Sequence, residues 1–108
     1  MPTYNKLVRD QIIDIIEKDG LHCNYRILNE QEHLQEIKKK LYEEVKEYEQ
    51  TSNETDALEE LADLLELIHA ALSVHNKSFD DLETVRRKKL EQRGGFQKRL
   101  FLIDVEDE

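Results

Sequence analysis

The chain is 108 residues long with a formal net charge of −9, 38% charged residues, one cysteine and no tryptophan. That length implies a single domain, residues 1–108, with a modest hydrophobic core that self-association would enlarge. The acidic balance argues against nucleic acid or an anionic membrane as partner, and the absence of a signal peptide or a membrane-length apolar run leads us to expect a cytoplasmic protein.

After a short lead, Lys6-Leu7-Val8-Arg9-Asp10 enters a helical pattern in which Val8, Ile12, Ile15 and Ile16 recur up to Lys18, and Gly20 is a fitting stop signal. Lys6 and Arg9 stand near the start of this helix, either as plain surface charge or as phosphate contacts. Over Leu21 to Leu28, Cys23, Tyr25 and Ile27 alternate with His22, Asn24 and Arg26, which predicts a short extended segment. Cys23 has no second thiol to pair with, which fits a reducing compartment and a small buried side chain.

Asn29 with Glu32 three residues on has the spacing of a capping box, and the helix it opens runs to about Glu49. Leu34, Ile37, Leu41, Val45 and Tyr48 form its apolar stripe at about 100° per residue. Glu44 lies at the edge of that stripe and Glu47 just beyond, whereas Glu43 points away. Gln50 to Asn53 is the turn into a further helix from Glu54 to His75. There Leu58, Leu61, Leu64, Leu65, Ile68, Ala71 and Leu72 make a broader stripe; Glu60 falls inside it, Asp63 sits on its border, and Glu59 and Glu66 face outward.

A carboxylate on an apolar face is costly unless a cation or a donor meets it, which makes Glu60 the most informative acid in the chain. If the two helices form an antiparallel hairpin turning near Ser52 and Asn53, facing residue numbers sum to roughly 105. Glu60 is then level with the gap between Glu44 and Glu47. Four carboxylates, Glu44, Glu47, Glu60 and Asp63, would converge, and such a group is stable only around a cation. Oxygen ligands without a matching histidine or cysteine set select magnesium, or manganese, over zinc. Magnesium bridges phosphate oxygens, so the expected substrate is a polyphosphate and the reaction hydrolysis of a phosphoanhydride.

Ser78 with Asp81 opens a last helix reaching Gln92, with Phe79, Leu82, Val85 and Leu90 on its buried side. Arg86, Arg87, Lys88, Lys89 and Arg93 gather near its end, where the helix dipole explains part of the clustering. Gly94-Gly95 permits a sharp reversal, and Phe96 to Ile103 reads as an extended, mostly apolar segment able to pair with the earlier one. Lys6, Arg9, Lys89, Arg93 and Lys98 are the candidate contacts for a phosphate tail. Phe96 is a candidate base-stacking side chain, burial in the core being the commoner fate of a phenylalanine.

Glu43-Glu44-Val45-Lys46-Glu47 followed by Glu60-Leu61-Ala62-Asp63 resembles the paired acid motifs of the all-α nucleotide pyrophosphatase superfamily, the MazG-like proteins among them. Tyr4-Asn5-Lys6-Leu7-Val8-Arg9-Asp10 and Arg93-Gly94-Gly95-Phe96-Gln97-Lys98-Arg99 are similar to the flanking blocks of its small stand-alone, phosphoribosyl-ATP pyrophosphohydrolase-like group. The resemblance implies an all-α antiparallel bundle of about four helices, with Glu44, Glu47, Glu60 and Asp63 as metal ligands. It further implies release of pyrophosphate from a nucleoside triphosphate, and a homodimer or homotetramer. Glu43, facing outward, would stand behind the ligands or towards a partner. The chain departs from the group at Gln11-Ile12-Ile13, where that group has Lys-Ile-Pro, which removes a basic contact at position 11.

Two other readings fit parts of the sequence. Glu30-x-x-His33 and Glu66-x-x-His69 have the spacing of di-iron carboxylate bundles, although Glu66 points outward and no inward glutamate on another helix completes the set. A non-catalytic helical interaction module would use the acids as solubilising surface and the apolar stripes as contacts.

Overall fold

The computed structural model describes residues 2–107 and is all-α. Four helices are present among the described residues: α1 (Ile12–Lys18), α2 (Glu30–Glu49), α3 (Glu54–Val74) and α4 (Phe79–Arg93). The chain divides into two compact units, Met1–Asn76 with α1 to α3 and Lys77–Glu108 with α4 and the segment that follows it.

The helix starts are set by side-chain caps. The Asn29 side chain accepts from the Glu32 backbone N–H at 2.9 Å, and Asn53 accepts from that of Asp56 at 2.8 Å. The reciprocal half of the expected box at Asn29 is not made. Glu32 turns instead to Arg26, at 2.7 Å, because a charged partner outcompetes a backbone amide. At α4 the box is complete: Asp81 N–H donates to Ser78 Oγ at 3.1 Å and Ser78 N–H to Asp81 Oδ2 at 2.9 Å. Gly94, at φ +77°, ends α4 in a conformation costly for any residue with a Cβ.

α1 begins later than the periodicity predicts. Asn5 sits at φ +45° and Gln11 makes no side-chain cap, so the first helical residue is Ile12 and both Lys6 and Arg9 lie in the irregular lead before it. Neither of the expected extended segments forms a strand. Among the described residues there is none, since alternation alone cannot satisfy backbone groups that lack a neighbouring strand. At the second segment a turn intervenes, with Arg99 N–H donating to the Phe96 carbonyl at 3.2 Å.

α2 and α3 are in close contact, and residues 50–53 are too short a link for anything but an antiparallel hairpin. Ile37 from α2, 0% exposed, and Leu67 from α3, 9% exposed, form its buried centre. Leu34, Leu41 and Leu64 are half-buried beside them. Val45, Tyr48, Leu58, Leu61, Leu65 and Ile68 remain exposed although they belong to the apolar stripes. Among the described residues no helix is long and apolar enough to cross a membrane.

Candidate metal centre

The antiparallel pairing of α2 and α3 brings Glu44, Glu47 and Glu60 together: each offers a carboxylate oxygen within 4.8 Å of the others. Their depth is graded. Glu44 is 7% exposed, Glu60 half-buried and Glu47 open to solvent at the edge. The order follows from the helical wheel, on which Glu44 lies about 20° from the buried Ile37 and Glu60 about 20° from Leu67, whereas Glu47 is turned well away.

Oε2 of Glu44 and Oε2 of Glu60 are both buried and accept no hydrogen bond among the described residues, an arrangement costly for a polar atom. For Glu44 the pKa is raised to about 8. Burial is the main cause, followed by the Glu60 and Glu47 carboxyls alongside and the negative charges of Glu47 and Asp63. A divalent cation among these oxygens would reverse each of those effects.

Asp63 departs from the four-ligand expectation. It stands close enough to add to the repulsion on Glu44, but its own Oδ1 accepts from Arg9 Nη2 at 2.5 Å. The three-oxygen cluster therefore comprises the glutamates alone, with Asp63 and its guanidinium partner at its border. The link between Arg9 and Asp63 spans 54 positions and joins an irregular segment to a helix, so no local pattern announces it. Glu43 faces outward as its position on the helix predicts, 3.9 Å from Lys40 and more than half exposed.

Lys6 lies in the same lead as Arg9, its Nζ 5.4 Å from the centre of the Tyr4 ring. Lys89, Arg93, Phe96 and Lys98 belong to the second unit, the first two on α4 and the others in the turn after it, all exposed. Phe96 is 94% exposed, which corrects the expectation of a core side chain: the Gly94 reversal carries it away from the α4 apolar face. Among the described residues neither Glu30 with His33 nor Glu66 with His69 enters a cluster of three potential ligands. Among the described residues the three glutamates are the grouping of that kind.

No protein-family model, curated protein or solved structure matches the chain.

Proposed function

We propose that the chain is a magnesium-dependent nucleotide pyrophosphohydrolase, converting a nucleoside triphosphate or related nucleotide to the monophosphate and pyrophosphate, in a housecleaning role towards non-standard nucleotides. The observation that carries this is the meeting of Glu44, Glu47 and Glu60 with two buried oxygens that have no donor among the described residues. The donor set fits the ion: three hard carboxylate oxygens, with no histidine or cysteine in the cluster, suit magnesium or manganese and not zinc. The resemblance of the acid motifs and flanking blocks to the MazG-like group supports the same chemistry.

Glu44 and Glu60 would hold the cation from the buried side and Glu47 from the open side. When bound, magnesium neutralises the phosphate chain and makes phosphorus more electrophilic. Glu47, the exposed acid, orients the attacking water and accepts its proton. The water oxygen bonds to phosphorus as the bridge between the α- and β-phosphates breaks, and pyrophosphate leaves with the bridging electrons. Arg9, bonded to Asp63 at the border of the cluster, supplies positive charge there, and Lys6 lies in the same lead. The uncovered apolar stripe on α3 suits a second copy of the chain in a homodimer or a homotetramer.

The test is a panel of standard and modified nucleoside triphosphates with magnesium or manganese, scored by pyrophosphate release. At least one is hydrolysed by the wild-type chain, and Glu47→Gln lowers the rate at least about a hundredfold. A folded protein that releases none from the whole panel contradicts the proposal.

A further inference from the structure

We propose that Arg9 is an exchangeable counter-charge: it holds Asp63 at the border of the glutamate cluster and passes from that carboxylate to a phosphate group of a polyphosphate ligand. The inference rests on the proposed cation-dependent chemistry and adds to it the group that recognises the anionic end of the substrate.

Arg9 is bonded to Asp63, one of the four acids expected to gather here. Its Nη2 donates to Asp63 Oδ1, and its Nε and Nη1 donors make no hydrogen bond among the described residues. A guanidinium has five donors in a planar fork that matches the oxygens of a carboxylate or a phosphate, so a single bond to Asp63 leaves most of that capacity unused. The pair is also open to water, with Arg9 56% and Asp63 38% exposed. An exposed ion pair contributes little, so its exchange for a doubly charged phosphate costs little and brings charge-assisted bonds in return. Arg9 stands in an irregular lead, before the first residue of α1. Its carbonyl accepts a turn bond from Ile12 N–H at 3.1 Å, so the exchange is a movement of the exposed side chain and leaves the backbone in place.

Arg9 then affects the cation and the anion in opposite senses. Its positive charge beside three glutamates weakens binding of a bare cation, and its free donors strengthen binding of a phosphate chain. A residue that merely braced the fold would weaken both together.

The experiment measures Mn2+ binding, and separately inorganic triphosphate binding in saturating Mn2+, for the wild-type chain, Arg9→Gln, Arg9→Lys and Asp63→Asn. In Arg9→Gln, Mn2+ alone is expected to bind severalfold more tightly and triphosphate about tenfold more weakly. Arg9→Lys keeps the charge and returns Mn2+ affinity to the wild-type value, but recovers only part of the triphosphate affinity, because an ammonium lacks the fork. Asp63→Asn releases Arg9 and is expected to preserve triphosphate binding. Parallel weakening of both ligands in Arg9→Gln, or unchanged triphosphate affinity, overturns the exchange while leaving the cation site intact. Failure of the wild-type chain to bind Mn2+ contradicts the cation site itself, and the exchange with it.

Discussion

Glu44 shows how one position on a helix face becomes a chemical requirement. It occupies the buried side of α2 near Ile37 on the helical wheel, where leucine or isoleucine is the ordinary choice, and burial above all, with the neighbouring carboxyls, raises its pKa to about 8. A carboxyl whose folded pKa lies above its unfolded value, 4.5, adds stability below that value and loses it as pH rises towards 8. In the absence of divalent cations the melting temperature is therefore expected to fall between about pH 5 and pH 8, and magnesium to flatten that fall. Glu44→Gln removes the charge without changing the shape. It should stabilise the cation-free protein at pH 8 by on the order of 1 to 3 kcal/mol and abolish the response to magnesium, as thermal melts in chelator and in magnesium will show. Glu60 was legible in the sequence for the same reason that Glu44 is unusual: an acid between the directions of Leu64 and Leu67 breaks an otherwise apolar arc. The partner of Asp63 was not, because a position on the border of a stripe is compatible both with an ion and with a guanidinium brought in from 54 residues away.

Among the elements, the helices whose starts carry cap residues are those whose bounds follow from sequence. Asn29, Asn53 and Ser78 each satisfy an N–H that the first turn would leave unpaired. Asn53→Ala is expected to cost about 1 kcal/mol, measurable by urea denaturation, and to loosen the end of α3 nearest the hairpin turn. α1 lacks such a cap, and its start was correspondingly misplaced. The two extended segments failed for a different reason. Tyr25, Ile27, Leu100 and Phe101 alternate or cluster as strand residues do, yet all four are exposed, and strand propensity reflects packing against a neighbouring strand, of which there is none among the described residues. On α3 the apolar arc continues beyond the part that meets α2: Leu61, Leu65 and Ile68 lie roughly 100 to 160° round the helix from Leu67 and stay exposed. If a second copy covers that arc, Leu65→Glu will shift the sedimentation coefficient to that of a single chain and lower the melting temperature. An unchanged coefficient would remove α3 from the interface.

Across the whole chain, charge and burial divide unevenly. Residues 1–76 hold seventeen of the 25 acidic residues but eight of the 16 basic ones, so the entire net charge of −9 resides in the unit that contains the cluster. Such a field concentrates cations near Glu47 and repels bare polyphosphate, and nucleotide should bind as its magnesium complex. Titration of a triphosphate into the chain in chelator should therefore give affinity at least about tenfold weaker than in magnesium, with a dependence on ionic strength that is steeper in chelator. The buried apolar centre, Ile37 with Leu67, is small for a chain of 108 residues. Ions and a second chain are accordingly expected to contribute to stability as well as to chemistry.

The most direct test is a Mn2+ titration at pH 8 in which free ion is followed by electron paramagnetic resonance, comparing the wild-type chain with Glu60→Gln. Saturable binding to the wild-type protein, weakened at least about a hundredfold in Glu60→Gln, is the result predicted for oxygens that converge on one cation. Equal titrations of the two proteins would contradict it, for the acids would then be no more than a charged surface.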